Sequence, residues 1–93
     1  MGYKAIAMGM FRECTSLKSI SISSQIENIW QGAFANCTSL ETVYNDAEYP
    51  QNISGGKVFE GVDLSKCTLY VHVISRYKEA DGWKEFGNIE RIW

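Results

Sequence analysis

The sequence predicts a short right-handed solenoid: parallel strands joined by short helical turns, sealed at the C-terminal end by a helix. Three observations carry this expectation. Residues 6–22 overlay residues 29–45 at an offset of 23, with seven identities: Ile6/Ile29, Gly9/Gly32, Phe11/Phe34, Cys14/Cys37, Thr15/Thr38, Ser16/Ser39 and Leu17/Leu40. Glycine, cysteine, threonine and serine match along with the apolar positions, so shared hydrophobicity alone cannot account for the repeat. A period of 20–29 residues is that of one structural coil, which buries its apolar side only against a neighbouring coil. Finally, two stretches alternate apolar and polar residues, as half-buried strands do, and the C-terminal stretch carries apolar residues at helical spacing.

Each element follows from local signals. Ile20-Ser21-Ile22 reads as a strand, and Val43-Tyr44 holds the same place one coil later. Ser23-Ser24-Gln25 reads as a polar turn, followed by a second short extended piece, Ile26-Glu27-Asn28-Ile29. Gly32-Ala33-Phe34-Ala35-Asn36 is expected to form a helical turn with Phe34 pointing inward. Cys37 then closes the corner, while Thr15, Ser16, Thr38 and Ser39 are expected to bond backbone groups at the bend. After Tyr44 the period breaks. Asn45 to Asn52 is polar and holds the only proline, so it is expected to leave the coil as a surface loop, continued by Ser54-Gly55-Gly56. Val58-Phe59-Glu60-Gly61-Val62 repeats the Ala-Phe step, and Cys67-Thr68-Leu69-Tyr70-Val71-His72-Val73 alternates as a strand. Ser75 is expected to cap a helix over 76–81 ending at Gly82, with Tyr77, Ala80 and Trp83 covering the open end of the stack. Phe86, Ile89 and Ile92 add anchors, and a last strand is expected over 89–93. The chain divides into coils at 6–28 and 29–45, a degenerate coil at 46–73 and a cap at 74–93, all within one domain, 1–93.

Composition narrows function by exclusion. A net charge of -2 supplies no basic field for nucleic acid or anionic membrane. No apolar run approaches the ~20 residues that span a bilayer. The N-terminus lacks the basic region and apolar core of a signal peptide. The chain is therefore expected either to work in the cytoplasm or to be a fragment or processed form of something exported, and residue 1 falling partway through a repeat favours the fragment. Cys14, Cys37 and Cys67 are an odd number without paired metal-ligand spacing, so they are expected to be thiols, with Cys14 and Cys37 stacked as small buried residues. A Cys14–Cys37 disulfide is the rival reading.

These residues resemble a known family. Ile29-x-x-Gly32-Ala33-Phe34-x-x-Cys37-Thr38-Ser39-Leu40-x-x-Val43 is similar to the BspA-type leucine-rich repeat of bacterial surface and secreted proteins. Phe59 to Val71, followed by Tyr77-Lys78-Glu79-Ala80-Asp81-Gly82-Trp83-Lys84-Glu85-Phe86, is similar to the closing segment of such arrays. Here Ser23 follows Ile22 where the family often has proline, and His72-Val73-Ile74-Ser75-Arg76 is about two residues shorter than the usual link to the helix. The resemblance implies a leucine-rich-repeat scaffold without a shared catalytic site, an extracellular or cell-surface location, and a host or extracellular-matrix protein as partner.

No chemistry competes with that reading in sequence. His72 is the only histidine, with no second ligand nearby to complete a metal site. Asp46, Glu60 and Asp63 are loop carboxylates without a pattern, and no nucleotide, zinc-protease or nucleophile-elbow motif is present, so neither cofactor nor metal is expected. A hydrolase would require His72 and carboxylates gathered in a pocket. The functional lead is strand alternation. With Ile20, Val43, Leu69 and Val71 inward, Ser19, Ser21, Thr42, Tyr44, Thr68, Tyr70 and His72 face outward, and Ser21, Tyr44 and Tyr70 form one row. Exposed tyrosine suits protein recognition, and an ordinary solvated sheet is the bland alternative. Two functions are weighed: a non-enzymatic protein-binding or adhesion module, and a structural cap that binds nothing itself. On the second, an uncovered N-terminal edge near Tyr3 and Ile6 is expected to self-associate.

Overall fold

The computed structural model describes residues 5–53 and 57–92; Tyr3, Ser54-Gly55-Gly56 and Trp93 lie outside them. Among the described residues, six strands fall into two parallel sheets. The first pairs β1 (Ala5–Ile6) with β3 (Asn28–Ile29). The second has the order β2 (Ser19–Ile22), β4 (Thr42–Asn45), β5 (Thr68–Val71), β6 (Asn88–Arg91). Successive turns of chain therefore lie beside one another in parallel. Register keeps repeat mates together: Ile20 pairs with Val43, Val43 with Leu69, and Leu69 with Ile89.

The core lies behind this sheet. Val43, Leu69 and Val71 are fully buried, whereas Ile20 is half-buried because β2 is an edge strand. A column of phenylalanines runs through the coils. Phe11 stacks on Phe34 at 5.3 Å and Phe34 on Phe59 at 5.4 Å, with planes 1° and 11° apart. Phe59, expected as the third Ala-Phe step, completes the column.

The turn around each phenylalanine is not helical as expected. Residues two before and two after the ring adopt positive φ: Gly9, Gly32 and Lys57 at 62°, 66° and 49°, and Glu13, Asn36 and Gly61 at 60°, 60° and 82°. Two left-handed residues per turn break a right-handed helix. The segment is instead a run of tight turns that bond locally and to the next coil. Ala35 N donates to Gly32 O at 3.1 Å and Cys37 N to Phe34 O at 3.3 Å. Between them, Phe34 N donates to Val58 O at 2.9 Å and Asn36 N to Glu60 O at 2.6 Å. Gly61 is doubly constrained, because a Cβ there would collide with the Asn36 side chain. The serine and threonine expectation also fails. The hydroxyls of Thr15, Ser16, Thr38 and Ser39 make no hydrogen bond among the described residues, and the bends are closed by backbone: Leu17 N to Cys14 O at 3.0 Å and Leu40 N to Cys37 O at 3.1 Å.

Two further expectations are corrected at the C-terminal end. The helix α1 spans Ile74–Lys78, with Val73 at its N-cap and no side-chain cap, so Ser75 lies inside the first turn. The short link after β5 brings the chain into the helix before Ser75 can occupy the cap. The polar segment after Tyr44 is not a simple surface loop either, for Asn45, Ala47 and Gln51 are buried. Asn45 Nδ2 donates to Gln51 Oε1 at 2.8 Å, Asn45 Oδ1 accepts from Ala47 N at 3.1 Å, and Gln51 Nε2 donates to Ile26 O at 2.9 Å. Burying these amides is tolerable because their polar atoms are satisfied. The same segment holds the closing elements: Tyr77 OH donates to Ala47 O at 2.7 Å and Trp83 Nε1 to Gln51 O at 2.8 Å. Tyr77 and Trp83 are fully buried, but not on one helix as expected: α1 ends at Lys78, and Trp83 opens a separate 3₁₀ turn, Trp83–Glu85. Trp83 and Phe86 meet Phe59 edge-on at 5.9 and 5.5 Å, which terminates the phenylalanine column.

Candidate protein-binding face

The outward positions of the four-stranded sheet form a grid. Register places Ser19, Thr42, Thr68 and Asn88 in one row, and Ser21, Tyr44, Tyr70 and Glu90 in the next. The ladder runs one residue further, with Asp46 N donating to Ile22 O at 2.9 Å and Ile92 N to Val71 O at 2.8 Å. That extension brings Asp46 beside His72, Nε2 to Oδ1 at 3.3 Å. All seven residues read as outward from the sequence therefore share this face. Ser19, Ser21, Tyr44 and His72 are exposed, and Thr42, Thr68 and Tyr70 are half-buried.

Aromatic stacking marks its centre. The Tyr44 and Tyr70 rings lie 4.9 Å apart with planes within 15°, close to the ordinary spacing between adjacent strands. Tyr44 keeps 40% of its surface exposed. A polar groove of about 570 Å³ opens at the start of the strands, between Lys18, Glu41, Thr42, Asp63, Lys66 and Thr68. A second, of about 390 Å³, follows the other side of Tyr70 along Asn88, Glu90 and Arg91.

The carboxylates do not gather into a catalytic group. Asp46 pairs with His72, Glu60 lies 3.9 Å from Lys57, and Asp63 accepts from Ser65 N at 3.2 Å as the cap of a 3₁₀ turn, Leu64–Lys66. His72 and Asp46 are each about half exposed on open sheet rather than set in a pocket. The cysteines are free thiols. Cys37 Sγ donates to Phe11 O and Cys67 Sγ to Leu40 O, both at 3.0 Å. Burial pushes both thiols up from their ordinary range, and the Asp63 and Glu41 charges add to the rise at Cys67. Neither is poised as a thiolate nucleophile. Sequence reasoning missed Asp46, Asn88 and Glu90 as members of the face. For Asp46 the signal was present, since it follows Tyr44 by two, the strand period.

A family model described as BspA type Leucine rich repeat region (6 copies) matches residues 4–80. The chain belongs to that family. BspA-type repeats typically occur in bacterial surface or secreted proteins, and the family is generally non-enzymatic. Membership points to a protein-interaction module. No helix among the described residues is long and apolar enough to cross a membrane. No curated protein and no solved structure gives a significant match.

Proposed function

We propose that this chain is a non-enzymatic protein-binding or adhesion module of a bacterial cell-surface or secreted protein. On this reading residues 1–93 are one domain, a short right-handed solenoid with coils at 6–28, 29–45 and 46–73 and a cap at 74–93. It engages a host or extracellular-matrix protein through the outer sheet face: Ser19, Ser21, Thr42, Tyr44, Thr68, Tyr70 and His72. The stacked Tyr44–Tyr70 pair carries the proposal, for it is a rigid, half-exposed aromatic surface ringed by short hydroxyl side chains. Tyrosine supplies contact area at small entropic cost and is enriched at interface centres. The test is surface plasmon resonance against a panel of soluble matrix proteins, with Tyr44→Ala/Tyr70→Ala alongside the native chain. The double variant should weaken any partner at least about tenfold, as loss of two interface aromatics does, while melting near the native temperature. Unchanged affinity would remove this face from the function.

A second reading, a structural cap without binding activity that associates through its N-terminal edge, is favoured by one observation. An apolar groove of about 280 Å³ lies at the first coil between Ile6, Met10, Phe11, Ile22 and Ile26. Beside it, β2 has no strand on its outer side among the described residues.

A further inference from the structure

We infer that the outer face carries a stacking slot for an arginine side chain of the protein partner, formed by Tyr44, Asp46 and the serines of β2. The inference rests on the reading of the sheet face as a binding surface and names what that surface grips. Tyr70 covers one face of the Tyr44 ring. On the other side the same row holds Ser21, too short to cover an aromatic ring, flanked on its strand by the exposed Ser19 and by Ser23 just beyond. The three outward positions along this edge are thus all serine, a low shelf beside the open face of Tyr44. No cation stands over Tyr44 among the described residues.

Asp46 sits two residues beyond Tyr44 on the same side, about 7 Å along the strand. Its Oδ1 meets His72 at 3.3 Å, whereas its Oδ2 has no partner among the described residues. A carboxylate accepts several hydrogen bonds, so Oδ2 remains available to a second donor. The slot therefore offers a flat π face and an anionic acceptor close together, both open to solvent. A planar guanidinium satisfies both at once, stacking on the ring while its edge N–H groups reach the carboxylate. An ammonium group is less suited, because it cannot stack as a plane.

The molecule already contains this arrangement once, with its arginine in place. Arg76 stands 4.0 Å from the Tyr49 ring centroid, and its Nη1 donates to Glu48 Oε2 at 3.3 Å and to Glu48 O at 3.2 Å. Tyr44 and Asp46 supply the same two groups, two residues apart along the β4 ladder whereas Glu48 and Tyr49 are adjacent, and the serine shelf leaves room for the guanidinium.

The test uses the whole chain and four capped pentapeptides that differ only at the central residue of a glycine host: arginine, lysine, citrulline and phenylalanine. Binding is followed by NMR through the Tyr44 ring and the amides of β2 and Asp46. The arginine peptide should shift these signals saturably. Lysine and citrulline should bind at least about threefold more weakly, in line with an exposed cation–π contact. Ser21→Tyr, which fills the slot at an exposed position, should abolish the shifts, and Asp46→Asn should weaken them. Equal response to arginine and lysine, preference for phenylalanine, or native-like binding by folded Ser21→Tyr would each overturn the slot. The two readings fail separately. If Ser21→Tyr spares capture of a matrix protein that Tyr44→Ala/Tyr70→Ala abolishes, the face stands and the slot falls; if the double variant loses the arginine peptide yet captures matrix proteins as the native chain does, the slot stands and the face falls as the matrix-protein surface.

Discussion

At one end of the phenylalanine column Phe59 meets Trp83 and Phe86, and at the other Phe11 presents its outer face to an apolar groove. Trp83 is fully buried and hydrogen-bonded to Gln51, whereas Phe11 is half-buried and neighboured by the exposed Met8 and Met10. Both ends face the same problem, since a stack of coils exposes core wherever it stops. The C-terminal end solves it with aromatic rings bonded to backbone carbonyls by their own polar atoms. The N-terminal end of the described residues has no such closure. Stability should therefore be unevenly distributed along the stack.

The sharpest test of that contrast is a pair of truncations. Trp83→Ala removes a fully buried ring and orphans the Gln51 carbonyl, and should cost about 3–5 kcal/mol. In a domain of this size that lowers the melting temperature by about 15 °C or more. Phe11→Ala removes a ring with only one covered face and should cost about 1–2 kcal/mol, read by the same calorimetry. Equal losses would refute the asymmetry.

A smaller effect isolates the closed end by pH. Burial pushes the Tyr77 phenol well above its ordinary value of 10.0, and its proton is donated to Ala47 O. The unfolded phenol ionises first, so the folded state holds more protons at high pH. The contribution is complete below 10.0 and fades as pH rises above it. Denaturant midpoints should fall above that value, and Tyr77→Phe should flatten this decline. The smallest expected signal belongs to the open end. If the groove beside Phe11 pairs with a second copy, light scattering should show apparent mass rising with concentration, and a strict monomer throughout would dismiss the pairing.

What the chain discloses in advance follows where repetition is literal. Phe11, Phe34, Val43 and Leu40 could be placed because their coil mates are the same or similar residues at a constant offset. The positive-φ turns were hidden because the chemistry that permits them moves. Glycine occupies the first such position in two coils and the second in the third, where Lys57 takes the first. Asn45 and Gln51 read as solvent-facing because each is polar alone, and their bonds to each other and to the backbone at Ala47 and Ile26 make burial tolerable. Asp46 and His72 could not be paired from sequence. They meet through a register spanning 26 residues, 3 more than the repeat, and the extra length is absorbed in the connecting segment. The outward row of Ser21, Tyr44 and Tyr70 was legible because alternation alone fixes it.

The long reach of the closing bonds also bears on how the chain is made. Tyr77 and Trp83 bond to carbonyls 30 and 32 residues earlier. On the ribosome, every coil emerges before the residues that shelter its aromatic column. Nascent chains therefore pass through an interval in which Phe34 and Phe59 have emerged and Trp83, the ring that covers Phe59, has not. Seating of Trp83 would end it.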